Sequence, residues 1–358
     1  MSNIFNNMLK NEESLIINPV ALDYDYQPKL IPFRDNQQHH IATCIKPLFQ
    51  NRNGKNILII GKPGIGKTVC TKHVLRELEE QTEDIIPIYI NCWKKDTPYK
   101  IVIEICEQID YKWIQNRKTD ELLKKVTEIL NKKSSVIVMD EIDKLEDFSI
   151  VYSLLEDVYK KTIILITNEK EFITALDQRL KSRLIPDLIE FKPYNLKETE
   201  GILKQRIEYA FPKNVIQEEA LKAITEKTFE LGDIRTGLFL LKEAATLAEY
   251  ESSKKVILKH ANSAIEKLIN FAINEKENFD DEKKGILELI KKNSGKTAME
   301  LYNIYKINNK EKTYRTFYRK VKSLADGKLI NLREINRGVK GKSTIVEFGA
   351  LKDLNEYP

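Results

Sequence analysis

Glycine and cysteine are both scarce in this 358-residue chain, at 13 and 4 residues, and tryptophan occurs only twice. The cysteines, Cys44, Cys70, Cys92 and Cys106, form no C-x-x-C pair. That excludes a disulfide-stapled scaffold or a cysteine-rich zinc framework and leaves reduced, mostly buried thiols. His39 and His40 are adjacent, and a pair without further ligands in sequence reads as a helix-surface feature. No apolar run approaches the length of a membrane span, and Met1 to Lys10 lacks the apolar stretch of a secretion signal. The expectation is a soluble cytoplasmic protein, nucleoid-associated if it binds DNA, with no membrane partner. Repeats and low-complexity tracts are also absent.

What the chain does have is 42% apolar and 32% charged residues, enough for globular cores with a highly charged surface. Its length calls for two or three domains. The net charge of +5 is unevenly spread. From Lys283 to Pro358 there are 18 Lys and Arg against 8 Asp and Glu, or +10, while the remainder holds 41 against 46, or −5. A basic terminal module on a mildly acidic body is the asymmetry of a nucleic-acid-binding domain joined to an enzyme.

Short β-branched runs recur at residues 56–60, 86–91, 135–140, 162–167 and 188–191, with helical segments between them. Strands alternating with helices imply a parallel sheet covered on both faces. From residue 195 to about 279 only helical patterns remain, among them a long Ala/Leu/Glu-rich stretch at 233–251. The polar, charged stretch 274–282 reads as a linker. After it come three helices and a β-hairpin. The expected fold is α/β: a P-loop parallel-sheet domain at 1–194, an all-helical lid at 195–279 and a winged-helix domain at 280–358.

Residues 61–68 read Gly-Lys-Pro-Gly-Ile-Gly-Lys-Thr, a complete G-x-x-x-x-G-K-T between a strand and a helix. In that setting Gly61, Gly64 and Gly66 let backbone N–H groups turn toward phosphate oxygens, and the helix adds its positive end. Gly61, Pro63, Gly64, Ile65, Gly66, Lys67, Thr68 and Val69 are therefore expected around ATP or ADP. Lys67 would reach the β/γ-phosphates and Thr68 would offer a hydroxyl to Mg²⁺. A second apolar strand, Val136 to Met139, ends in Asp140, Glu141, Ile142 and Asp143, which makes it a Walker B strand. Asp140 suits Mg²⁺ and Glu141 suits orienting or deprotonating the attacking water. Asn168 ends the next strand, where it could position that water or merely start a turn. Arg235 follows Gly232, Asp233 and Ile234 at a helix start, a poor place for a cation on stability grounds, which favours a role toward a ligand.

Together these stretches resemble archaeal replication initiators related to the origin recognition complex and its helicase-loading partner, a branch of AAA+ ATPases. The resemblance is carried by Ile31-Pro-Phe-Arg-Asp-Asn-Gln37, the P-loop, Asn91-Cys92 with Asp96-Thr-Pro-Tyr99, and Asp140 to Asp143. It continues through Leu176-Asp-Gln-Arg-Leu-Lys-Ser-Arg-Leu184, Phe191-Lys-Pro-Tyr194, Arg206 and Gly232 to Arg235, and on into the terminal module. It implies that Asn168 is sensor 1, that Arg235 is sensor 2, and that Tyr194 and Arg206 contact the nucleotide. Arg179, with Arg183 as alternate, would face a partner's nucleotide. Gln178 stands where the family usually has Pro. Residues 92–118 correspond to a family insertion that touches DNA. The implied partners are double-stranded origin DNA, a replicative helicase of the minichromosome maintenance type, and further copies of the chain on DNA.

In the terminal module, Tyr314, Phe317, Val321 and Leu324 share one face of a helix expected over about 311–326. Lys312, Arg315, Thr316, Arg319 and Lys320 share the other, the pattern of a recognition helix for a major groove. Strands at 329–335 and 343–348 flank a turn at 336–341, making a wing whose Arg337, Lys340 and Lys342 suit phosphates or a minor groove. The expected function is an ATP-regulated initiator with slow, switch-like hydrolysis that binds origin DNA and recruits or loads the helicase. A DNA-binding regulator of a mobile element, or a signalling ATPase whose winged helix binds protein, would use the same modules.

Overall fold

The computed structural model describes residues 14–275, 281–308, 313–326, 330–336 and 342–348. They fall into two compact units, one of residues 25–198 with 232–234, the other of residues 14–24, 199–231 and the described residues from 235 on. Among the described residues no helix is long and apolar enough to cross a membrane.

In the first unit, α1 (Asp35–Ile45), β1 (Ile57–Ile60), α2 (Lys67–Gln81), β2 (Ile85–Asn91), α3 (Pro98–Gln108) and α4 (Thr119–Leu130) come first. Next are β3 (Ser134–Asp140), α5 (Ser149–Asp157), β4 (Lys161–Thr167), α6 (Phe172–Ala175), α7 (Gln178–Leu184) and β5 (Asp187–Glu190). All five strands run parallel, in the order β2-β3-β4-β1-β5. Each lies within a residue of the span expected from its apolar run.

The sheet sorts its side chains by strand parity. Leu58, Ile60, Ile137, Met139, Ile163 and Leu165 face a core shared with α3, α4, α5 and α7. Ile57, Ile59, Val136, Val138, Ile164 and Ile166 face a second core shared with α1 and α2. Every residue of β1 and β3 is buried, which is why these strands read as unbroken apolar runs rather than alternating ones. Each fully buried aliphatic contributes about 1.5–3 kcal/mol. The register puts Ile60 beside Thr167 and Asp140 beside Ile166, so β1, β3 and β4 end at one rim of the sheet.

The second unit is helical at first: α8 (Leu196–Ala210, its first turn in the sheet unit), α9 (Glu218–Leu231), α10 (Ile234–Tyr250) and α11 (Leu258–Glu275). A parallel bridge from Ile216 to Val256 ties the loops before α9 and α11. Asn195 and Glu198 exchange backbone-to-side-chain bonds of 2.9 Å in both directions, a capping box that starts α8.

The terminal module then contributes α12 (Asp281–Lys292), β6 (Lys296–Thr297), α13 (Ala298–Asn308), α14 (Tyr314–Asp326), β7 (Ile330–Asn336) and β8 (Lys342–Phe348). Thr297 and Glu300 form a second capping box, at the head of α13. The strands form an antiparallel sheet in the order β6-β8-β7. This is the helix–helix–helix–hairpin order of a winged helix, with the short β6 added. Phe317, Val321 and Leu324 are buried as their spacing predicts, in a core with Ile286, Leu301, Ile330 and Val346. Ile269 of α11 enters the same core, so the last lid helix packs into this module.

Candidate nucleotide site and candidate DNA surface

The loop after β1 turns sharply at Gly64 and Gly66, whose φ values of 72° and 88° lie in the left-handed region. A side chain at either would collide with a neighbour: the Asp233 carboxylate at Gly64, and the Tyr194 hydroxyl, 2.6 Å from a Cβ, at Gly66. Ile234 donates its N–H to the Gly64 carbonyl at 3.2 Å, so residues 232–234 are built onto the loop. Gly66 caps α2, leaving the first N–H groups of that 15-residue helix directed at the loop.

Lys67 and Thr68 open α2 and meet the ends of β3 and β4. The Lys67 ammonium is buried and donates to Gly61 O, Lys62 O and Asn168 Oδ1, each at 2.8 Å. Thr68 Oγ1 donates to Asp140 Oδ2 at 2.6 Å. Asp140 is 2% exposed, and its other oxygen accepts the Glu141 N–H at 2.9 Å. Glu141 itself has φ 55°, a left-handed turn that bends the chain away from β3 and costs a non-glycine residue about 1–2 kcal/mol. Asp143 accepts from Thr167 Oγ1 and pairs with Lys144, both at 2.8 Å. Burial works to raise the Asp143 carboxyl, but those two partners overcome it and hold it below the usual carboxylate range.

Two residues of this site escaped the sequence reading. Tyr89, on β2, donates its hydroxyl to Asp140 Oδ2 at 2.7 Å, the oxygen that Thr68 also uses. Burial, then the charge of Asp140, push the Tyr89 phenol well above its ordinary pKa, so it stays a donor. Arg34, 4% exposed, lies before the P-loop in sequence. Its Nη2 donates to Ile65 O at 2.9 Å and Lys192 O at 2.8 Å, and its guanidinium stacks 3.8 Å over the Tyr194 ring. Only the stretch Ile31 to Gln37 hinted at Arg34. Nothing local marks Tyr89.

The other expected residues are more scattered. Pro63 and Val69 flank the loop and helix start, and Ile65 is buried beneath them. Tyr194 is buried, and burial raises its phenol. Arg206 is buried on α8 in the other unit, with Nη1 donating to Ala21 O at 3.2 Å. Arg235 follows Ile234 directly at the head of α10. Arg179 is exposed on α7, whose N-terminus is capped by Asp177 at 2.7 Å despite Gln178 in place of Pro. Arg183 is paired with Glu156 and stacked on Tyr152, 5.3 Å away. Of the two, Arg179 is the one whose guanidinium makes no bond among the described residues. Buried thiols lie near the site but stay protonated: burial, then Asp140, push Cys92 up to about 12.

This donor set fits the groups it is expected to hold. A hydroxyl and a carboxylate oxygen meeting at 2.6 Å are hard ligands of the kind Mg²⁺ prefers. The loop's positive-φ glycines leave its backbone free to line phosphates, and Lys67 can exchange neutral acceptors for charged ones.

On the terminal module, Arg315 and Arg319 are exposed on α14, while Thr316 and Lys320 are half-buried. Tyr314 stacks on Tyr318 at 5.7 Å and meets Tyr302 edge-on at 5.3 Å, so it belongs to the module's aromatic packing. Lys312, Arg337 and Lys340 lie outside the described residues. Lys342 opens β8, its backbone paired with Asn336. In residues 92–118, Trp93 and Trp113 are 65% and 75% exposed, on either side of α3.

A family model described as an AAA domain matches residues 50–176, and one described as a Cdc6 AAA+ ATPase-type lid domain matches residues 200–266. The chain is 31% identical over 331 residues to an ORC1-type DNA replication protein 1 of Archaeoglobus fulgidus, covering 85% of this chain and 79% of that one. It is 30% identical over 353 residues to its namesake in Sulfolobus acidocaldarius, covering 92% and 89%. Among solved structures, the Aeropyrum pernix ORC1 protein in complex with DNA superposes with a TM-score of 0.66 at 25% identity, covering 94% of this chain and 95% of that one. Cdc6p from Pyrobaculum aerophilum, at 17% identity and TM-score 0.67 over 94% and 95%, shares the fold. The matches to an AAA+ core and its ATPase-type lid make the chain a nucleotide-binding ATPase.

Proposed function

The chain belongs to the ORC1-type DNA replication proteins of archaea, and from that premise we propose that it is an ATP-regulated initiator that binds replication-origin DNA and recruits or loads the replicative helicase. One observation carries the ATP half of the reading. Side chains from three elements pair around the P-loop: Lys67 of α2 bonds Asn168 after β4, and Thr68 of α2 bonds Asp140 of β3.

In this reading Lys67 binds the β/γ-phosphates of ATP, giving up the carbonyls of Gly61 and Lys62. Thr68 and Asp140 hold Mg²⁺, which when bound neutralises phosphate charge. Glu141 orients or deprotonates the attacking water, and Asn168 shares that water and senses the γ-phosphate through Lys67. Arg34 acts as a brace: it fixes Tyr194 and the Ile65 carbonyl so that the loop keeps its shape between nucleotides. Tyr194 and Arg206 bind the nucleotide, Arg235 reports the γ-phosphate to the lid, and Arg179 reaches a neighbouring copy. Slow turnover suits a switch whose ATP and ADP states differ in DNA and helicase affinity.

The DNA half rests on the +10 terminal module and on exposed Arg315 and Arg319. The Aeropyrum pernix relative was solved with DNA, which supports the same role here. The domains are then 1–194 for nucleotide, 195–279 for the lid and 280–358 for DNA, in a cytoplasmic, nucleoid-associated protein. Occupancy of the chromosome by this protein, mapped against replication start sites, tests the reading. Enrichment at start sites, lost in Lys67→Ala, is expected. Binding spread evenly over the genome would overturn it.

A further inference from the structure

Away from the P-loop, α1 and β5 bring together three side chains that no nucleotide or DNA role uses. His40 and Cys44 lie four residues apart, on one face of α1. Asp187 opens β5, the edge strand, and its Oδ2 lies 3.6 Å from His40 Nε2 and 3.6 Å from Cys44 Sγ. The three ligand atoms all lie within 4.8 Å of one another. We propose that His40, Cys44 and Asp187 form a binding site for one divalent transition-metal ion of the zinc type.

The spacing is the first argument. With metal bonds of about 2.0–2.1 Å to nitrogen, 2.3 Å to sulfur and 2.0–2.2 Å to oxygen, a tetrahedral ion sets its ligands about 3.3–3.6 Å apart. The nitrogen–oxygen and sulfur–oxygen separations here already lie at that value, so binding needs little movement. Donor chemistry is the second argument. Imidazole, thiolate and carboxylate together select zinc, cobalt or copper over Mg²⁺ and Ca²⁺, which take oxygen ligands.

Burial is the third. Cys44 is 1% exposed, whereas the His40 and Asp187 side chains are 44% and 37% exposed, so the thiol forms the floor and the fourth position faces water. Binding replaces the Cys44 S–H bond with a sulfur–metal bond and releases that proton to solvent. Thiolate and carboxylate then balance the ion's two charges. Burial, then the charge of Asp187, push the Cys44 thiol up to about 11, with Lys55 pulling the other way. Metal must therefore displace a held proton, and affinity should rise about tenfold per pH unit. Lys55 pairs with the same Asp187 oxygen at 3.3 Å and is the built-in competitor. The β5 strand has four residues and, among the described residues, pairs only with β1. A metal here would fasten it to α1.

Cobalt(II) titrated into the full chain without nucleotide is the test, because a thiolate–cobalt bond has its own near-ultraviolet charge-transfer band. One equivalent should produce that band, zinc should abolish it by displacement, and zinc should raise the melting temperature. His40→Gln and Cys44→Ser should lose the band, His39→Ala should keep it, and Lys55→Ala should bind several-fold tighter. Should Cys44→Ser fold poorly, the half-exposed His40 variant still decides. The proposal is overturned if folded wild type gives no band, if the band survives in Cys44→Ser, or if Lys55→Ala binds more weakly.

Discussion

The candidate nucleotide site and the candidate recognition helix α14 use charge in opposite ways. Around the P-loop the functional groups are sunk in protein: Lys67, Asp140, Arg34 and Tyr194 are all under 10% exposed, and each has partners within 3.8 Å. On α14, Arg315 and Arg319 are exposed and their guanidinium groups make no bond among the described residues. The first arrangement is a pre-organised chemical site, in which removing one group strands the others. The second is a charged surface whose strength lies in number and reach, and which salt should weaken. The comparison therefore predicts steep, salt-insensitive losses in one region and graded, salt-dependent ones in the other.

The largest effect should come from Lys67→Ala. It removes the one buried cation in the loop, and hydrogen bonds to a charged group are worth about 1.5–3 kcal/mol each, so ATP affinity should fall at least a hundredfold. Calorimetric titration at two salt concentrations is the measurement, and wild-type affinity would break the assignment. Glu141→Gln should still bind ATP but hydrolyse it about 10²–10⁴ times more slowly.

Next comes Arg34→Ala. Loss of its two backbone bonds and the ring stack should cost about 3 kcal/mol of stability and loosen the loop. Chemical denaturation would measure it. A loss under 1 kcal/mol would mean that Arg34 is no brace.

The candidate DNA surface should respond more gently. Arg315→Ala and Arg319→Ala should each cost about 1–3 kcal/mol on a cognate duplex and little on a scrambled one, if each forks onto a guanine. Replacing Lys342, Lys340 or Arg337 should lower affinity for both duplexes alike and flatten the salt slope by roughly one unit each. Fluorescence anisotropy across several salt concentrations separates the two patterns. If Arg315→Ala weakens both duplexes equally, α14 is a phosphate clamp.

The same contrast explains what could be read in advance. The strands, the P-loop and the acidic end of β3 were legible because each is local: a period, a spacing, a run. Thr297 to Glu300 caps α13 through a pattern visible in four letters. Tyr89 and Arg34 were not legible as site residues, since Tyr89 reaches Asp140 across 51 positions and Arg34 reaches Lys192 across 158. Neither contact leaves a trace in the residues beside it. Likewise His39 and His40 read as a helix-surface pair without further ligands, because His40's neighbour Asp187 arrives on β5. Short β6 went unseen because two residues carry no periodicity. In α14 the buried stripe Phe317, Val321 and Leu324 was plain, while the direction taken by its arginines depends on a partner the chain does not contain.

Tyr89→Phe should give the smallest effect, and it sharpens the comparison from inside the buried site. Tyr89 donates to Asp140 Oδ2, but so does Thr68, and the Glu141 N–H holds the other oxygen. Losing the phenol therefore strands no buried partner. The carboxylate stays bonded and loses only one of three restraints, worth about 1 kcal/mol. If Asp140 holds Mg²⁺, that restraint aims it, so the Mg²⁺ concentration for half-maximal hydrolysis should rise about fivefold while ATP affinity without metal is unchanged. A purely structural tyrosine would lower the melting temperature but leave the Mg²⁺ requirement unaltered. Hydrolysis rates titrated with Mg²⁺, set beside thermal melts, distinguish the two. A hundredfold loss would instead show that even a shared contact in this site is indispensable, and that Thr68 alone cannot hold Asp140 in place.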